Sequence, residues 1–275
     1  MNIIKQRNLR TPMTTQELFV KKHKRRHHLI TFLRITILVL FLLIWEGSGR
    51  LGMIDTFFFS SPCMVLSCFL SMLSDGSFFT HTGITLFETL LSFLLICIIS
   101  LICATLLWYS KTLSEIMEPY LVVLNSLPKS ALAPLFIVWL GTGINTIIVA
   151  GISVAIFGSV ISLYAGFKQV DKDKLKLIYT LGGTRYHAFS KVVLPASIPV
   201  ILSNMKVNIG LALVGVIIGE FLAARQGLGY LIIYGTQTFK MHMVIPSLTL
   251  LCLIAVFLFL LIALLDRLIC KRRKN

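Results

Sequence analysis

Charge is scarce in this sequence. Only 13% of its 275 residues are Asp, Glu, Lys or Arg, against 56% hydrophobic. So apolar a chain cannot be one soluble domain, and several of its runs approach the ~20 residues that cross a bilayer. Period-two alternation over ~10-residue segments is also missing, which excludes a transmembrane barrel. No G-x-x-x-x-G-K-[ST] occurs, so the chain cannot cradle nucleotide phosphates in the P-loop manner. H-E-x-x-H is absent as well, and no G-x-S-x-G accompanies a paired His and Asp in the spans. That leaves no catalytic pair for an intramembrane enzyme. Of the six cysteines, Cys97, Cys103 and Cys252 lie within apolar runs as small buried hydrophobes. Cys63 and Cys68 have no histidine or second cysteine pair beside them, so no metal site is expected.

What remains is an all-α polytopic membrane protein with six spans. Residues 1–28 form a basic tail ending KKHKRRHH, which suits an orientation signal, or a lipid- or nucleic-acid-binding arm. Span 1, 29–47, has no small-residue cleavage site after it and reads as a retained anchor. A polar segment with a short amphipathic helix near 64–73 follows, then span 2 at 83–108 and a connector at 109–118. Span 3, 119–140, contains Pro128 and Pro134, each expected to kink or break it. The Gly141-Thr142-Gly143 turn leads into span 4, 144–167, where Gly151, Gly158 and Gly166 allow close helix approach. Span 5 is 198–222. Residues 223–243 are expected to lie at the interface, and span 6, 244–265, precedes a basic tail at 267–275.

Net charge is +15, but the basic residues cluster beside the apolar runs, which argues against a nucleic-acid partner. With both termini cytoplasmic, 21 of the 26 Lys and Arg fall inside and 3 outside, a decisive bias. The segment 168–195 is then cytoplasmic. Asp171 is a plausible N-cap, and Leu175, Ile178 and Leu181 share a helical face. Gly182 and Gly183 stop the helix. Thr184 can cap a second turn carrying Tyr186, Phe189 and Val193, and Pro195 marks the start of the next helix. A capped helix–glycine–helix between two spans suits a docking surface. Its alternative is a loop packed on its own spans.

Four intramembrane polar positions stand out. Lys206 is an anion contact in a translocation path, or else snorkels or forms a structural ion pair. Glu220 pairs with Arg225, gates the outer mouth, or is a simple interfacial carboxylate. Asn204 and Asn208, four apart, share a face with Gly215 nearby, which suits pore lining or helix–helix hydrogen bonding.

The cytoplasmic segment resembles the signature of ATP-binding-cassette importer permeases, written E-A-A, three residues, Gly, nine residues, I-x-L-P. Gly182 is followed by nine residues before Val192-Val193-Leu194-Pro195, with Val192 at the Ile position. The E-A-A positions hold Lys176, Leu177 and Ile178, a departure from the pattern. SLPKSALAPLFIVWLGTG at 126–143 is similar to the family's proline-broken third helix, and GEFLAARQGLGYLI at 219–232 to the nitrate/sulfonate/taurine branch. The resemblance covers residues 80–266, after a first helix and extracytoplasmic segment at 29–79. It implies the type I importer permease fold. It also implies ATPase coupling through Lys176, Leu177, Ile178, Leu181, Gly182, Gly183, Val192, Leu194 and Pro195. Two cytoplasmic ATPases would bind the ATP and Mg, since this chain implies no cofactor of its own. An extracytoplasmic solute-binding protein and a second permease copy, most simply identical, complete the set. The solute is expected to be a small anion such as a sulfonate, taurine or nitrate, with thiamine or riboflavin precursors as the alternative. A self-contained secondary transporter would show paired ionisable residues at the midplane of several spans, and spans 2, 4 and 6 have almost none.

Overall fold

In the computed structural model, which describes residues 15–274, every regular element among the described residues is helical. The chain divides into two units, residues 1–63 and 64–275.

The first unit holds α1 (Thr15–Arg50) and α2 (Thr56–Phe59). The helix begins well before the expected span. Of the basic tail at 1–28, residues 1–14 lie outside the described residues and the rest is already α1. Lys and Arg are good helix formers, and no Gly or Pro separates them from the apolar run. Its apolar stretch, Phe32–Arg50, is long enough to cross a bilayer. Glu46 ties down the chain reversal after it, accepting from Arg50 Nε at 2.7 Å and from the Cys63 N–H at 3.1 Å.

From Met64 onward the core is a three-helix packing. α3 (Pro62–Ser74) is the expected short helix, and α4 (Ser77–Tyr109) is the second span. The connector at 109–118 is not a loop: Ser110 caps α5 (Lys111–Ser126), accepting from the Leu113 N–H at 3.2 Å. α5 and α6 (Lys129–Leu140) then meet at 96°. Pro128 makes this break, forcing Leu127 into extended backbone (φ −63°, ψ 138°). Pro134 lies inside α6 without breaking it, which corrects the expectation for that residue. Lys129 Nζ reaches back to the Leu124 and Asn125 carbonyls at 2.5 and 2.8 Å, satisfying acceptors that the end of α5 would otherwise leave open.

Next come α7 (Ile144–Lys168), α8 (Lys172–Thr180), α9 (Arg185–Ala188) and a π turn (Phe189–Val193). α10 (Leu194–Ala223), α11 (Leu228–Gln237) and α12 (Met241–Lys274) complete the chain. Among the described residues five helices are long and apolar enough to cross a membrane, or six if the bent α5–α6 pair is one span. α4, α7 and α10 pack closely through small residues. A Cβ on Gly215 would stand 2.8 Å from the Gly151 Cα and 2.9 Å from the Ala150 carbonyl, so the α7 and α10 backbones touch there. Ile96, Ala155 and Ala212 of these helices share one buried cluster with Leu228 of α11 and Leu258 of α12.

Candidate functional site

The cytoplasmic segment forms as its caps direct. Asp171 Oδ1 accepts from the Asp173 N–H at 2.9 Å, and α8 ends where Gly182 takes φ +78°. The Gly183 N–H returns to the Ile178 carbonyl at 2.8 Å, the six-to-one bond of a Schellman closure. Thr184 then opens α9, donating its N–H to His187 Nδ1 at 3.2 Å.

The two expected stripes divide between inside and outside. On α8, Leu175 and Ile178 turn inward, whereas Leu181 is 75% exposed. The outward face is built instead from Asp173, Lys176, Leu177 and Leu181, at offsets of three, four and eight residues. On the second helix, Tyr186 is 67% exposed, while Phe189 and Val193 pack with Phe167, Leu163 and Ala104 of α7 and α4. Phe189 meets the rings of Trp108, Tyr109 and Phe167 at 5.3–5.6 Å between centroids. The segment is thus wedged into its own spans on one side and bare on the other. Val192 and Leu194 are half-buried, as is Pro195. Pro195 lies in the first turn of α10, where a residue without an N–H is tolerated. The chain is helical without interruption from Arg185 through the widened π turn to Ala223.

In the membrane interior, Asn204 and Asn208 of α10 both donate to Ser159 Oγ of α7, at 2.9 and 2.8 Å. They also line a cavity of about 490 Å³ with Ser162, Ser203 and Val207. Lys206 forms an ion pair with Asp266 of α12, sixty residues away.

At the extracytoplasmic end Glu220 is 1% exposed. It does not pair with Arg225. Its carboxylate accepts from Thr85 Oγ1 of α4 at 2.6 Å and from the Gly229 N–H at 2.5 Å. Gly227 and Leu228 donate their N–H groups to His81 Nδ1 and Thr85 Oγ1 at 3.0 and 2.9 Å. The amino end of α11 is therefore capped by side chains of α4 and α10. Leu228, Leu231 and Ile232 are buried, because capping draws this part of 223–243 against its neighbouring helices. A Cβ on Gly227 would lie 2.5 Å from Glu220 Cδ, so the loop closes over the carboxylate only with glycine there. Glu88, which sequence reasoning passed over, lies beside Glu220, 3% exposed. The rarity of carboxylates in spans was the signal that could have found it.

Residues 96–274 match the family described as the binding-protein-dependent transport system inner membrane component, and the chain belongs to that family. It is 30% identical, over 79% of its length and 88% of the relative's, to a probable ABC transporter permease protein of Haemophilus influenzae. Against the formylaminopyrimidine transport permease protein ThiX of Halalkalibacterium halodurans it is 28% identical over 70% of this chain and 76% of that one. Against the taurine transport system permease protein TauC of Escherichia coli the figures are 25%, 82% and 84%. The fold is that of a bacterial ABC transporter for alginate import, with a TM-score of 0.65 at 16% identity over 91% of this chain and 99% of that one. The protein is a multi-pass permease of the bacterial plasma membrane, the translocating component of an ATP-binding-cassette importer and not an enzyme.

Proposed function

We propose that this permease brings a small anion, such as a sulfonate, taurine or nitrate, into the cytoplasm, and that segment 168–195 is where its ATPases act. Two copies of the chain would form the pore, each engaging one ATPase, and those ATPases would hold the ATP and Mg. One observation carries the coupling reading. Leu177, Leu181 and Tyr186 are 59%, 75% and 67% exposed on a segment whose opposite side is wedged into α4 and α7. Large apolar side chains held outward on a capped cytoplasmic helix suit a groove on a partner protein. Lys176 adds a cation to that face, held at 3.1 Å from Asp173. Motion of the partner would pass from Gly182 and Gly183 through Val192, Leu194 and Pro195 into α10, because the helix does not break there.

Affinity purification of the full chain from gently solubilised membranes, with mass spectrometry of what accompanies it, tests this. A stoichiometric P-loop ATPase is expected. A chain that purifies alone would return segment 168–195 to a packing role. The identity of the anion follows from ligand screening of the accompanying binding protein. A thiamine or riboflavin precursor bound there would replace the anion in this reading.

A further inference from the structure

A cavity of about 240 Å³ lies among α4, α5 and α7, at the end of the spans where segment 168–195 emerges. Its level in the membrane follows from the residues around it. α4 ends on Trp108 and Tyr109, α5 starts at Lys111, and the last turns of α7 carry Tyr164 and Lys168. Aromatic and charged side chains gathered at helix ends mark the boundary between hydrocarbon and water. The cavity wall is mixed. Leu107, Leu121, Val122 and Ile161 make it apolar, and Glu118 and Lys168 add one charge of each sign. Both charged residues are exposed, and neither is in an ion pair among the described residues, although both line the same space. Lys168 Nζ stands over the Tyr164 ring at 5.1 Å, and the nearby Lys111 is already paired with Glu115 at 3.6 Å. Two opposite charges that face one space without meeting suit an occupant that carries both.

We propose that this cavity seats the headgroup of a phospholipid bearing a primary amine. The phosphate would sit at Lys168, and the ammonium would donate to Glu118. The space is smaller than the roughly 300–1,000 Å³ of small-molecule sites, so it takes a headgroup and leaves the acyl chains outside. Val122, 52% exposed, continues that path along α5 toward the middle of the span. A quaternary amine has no N–H to offer Glu118, and a headgroup of net negative charge is repelled by it. Tyr164 also packs against the cluster that holds Phe189 and Val193, so a bound headgroup braces the root of segment 168–195. The proposal is independent of which solute is imported.

The test titrates the delipidated full chain in detergent with phospholipids of one acyl composition, and native mass spectrometry reads the bound lipid. Phosphatidylethanolamine is expected to bind about tenfold tighter than phosphatidylcholine or phosphatidylglycerol, as one charge-assisted hydrogen bond to the amine requires. Glu118→Gln should remove that preference. Lys168→Gln should weaken phosphatidylethanolamine and phosphatidylcholine alike. Both residues are exposed, so folding is not at stake. Glycerophosphoethanolamine, the same headgroup without chains, should not displace the lipid at matching concentration. Equal binding of the three lipids, tighter binding of phosphatidylglycerol, a preference that survives Glu118→Gln, or unchanged affinity in Lys168→Gln would overturn the site. Displacement by the chain-free headgroup would also overturn it, since the occupant would then be a soluble zwitterion and not a lipid.

Discussion

Lys206 shows how much one intramembrane residue discloses. A lysine inside span 5 is costly by itself, which makes a partner or a route to water the expectation. The ion pair with Asp266 supplies that partner, and the two side chains are 29% and 22% exposed. Asp266 is sixty residues away, between the end of span 6 and the tail, so no local pattern could have joined the two. Removing one member takes the ion-pair partner from the other. Lys206→Met should therefore cost about 1–3 kcal/mol, discounted for partial exposure. The double variant Lys206→Met/Asp266→Leu should recover most of it, and thermal unfolding of the purified protein reads both. Asn204 and Asn208 were legible as one face because their spacing is helical. Their shared acceptor, Ser159, was not, since helix pairing is a tertiary fact. Glu88 was overlooked because it lies near one end of a very apolar run and carries no motif.

Among the elements, the bend of the third span separates two prolines of equal promise. Pro128 ends α5 because the residue before a proline is pushed out of the helical region, whereas Pro134 sits inside a helix already started. Pro134→Ala should leave the 96° bend and solute uptake unchanged. Lys129→Met should destabilise the bend by about 1–3 kcal/mol, because two carbonyls at the end of α5 lose their donor. Thermal unfolding compares the two variants directly. α8 and its closing turn were legible nearly residue by residue, since caps and glycines act locally. Which stripe faces outward was not, because helical periodicity gives a face without saying what covers it. Gly182 at φ +78° leaves little room for a β-branched residue. Gly182→Val should lower uptake sharply while the ATPase still binds, as measured by transport assay and co-purification on one preparation.

At the scale of the whole molecule, the chain connects its two faces through one continuous helix. Segment 185–223 begins in the wedge against α4 and α7 and ends just past Glu220, which accepts from the amino end of α11. A displacement applied at Leu181 and Tyr186 thus has a stiff route to the extracytoplasmic mouth. The apolar runs that become the spanning helices were readable from the sequence, because the bilayer imposes their length and composition. The capping of α11 by α4 and α10 was not readable, because it depends on three elements meeting. The most direct test of ATPase coupling through this segment is the affinity of the purified Leu181→Glu chain for its ATPase, against the unaltered chain. A buried carboxylate in an apolar groove should weaken that affinity about tenfold or more. Unchanged affinity would contradict the account and place the partner on another surface.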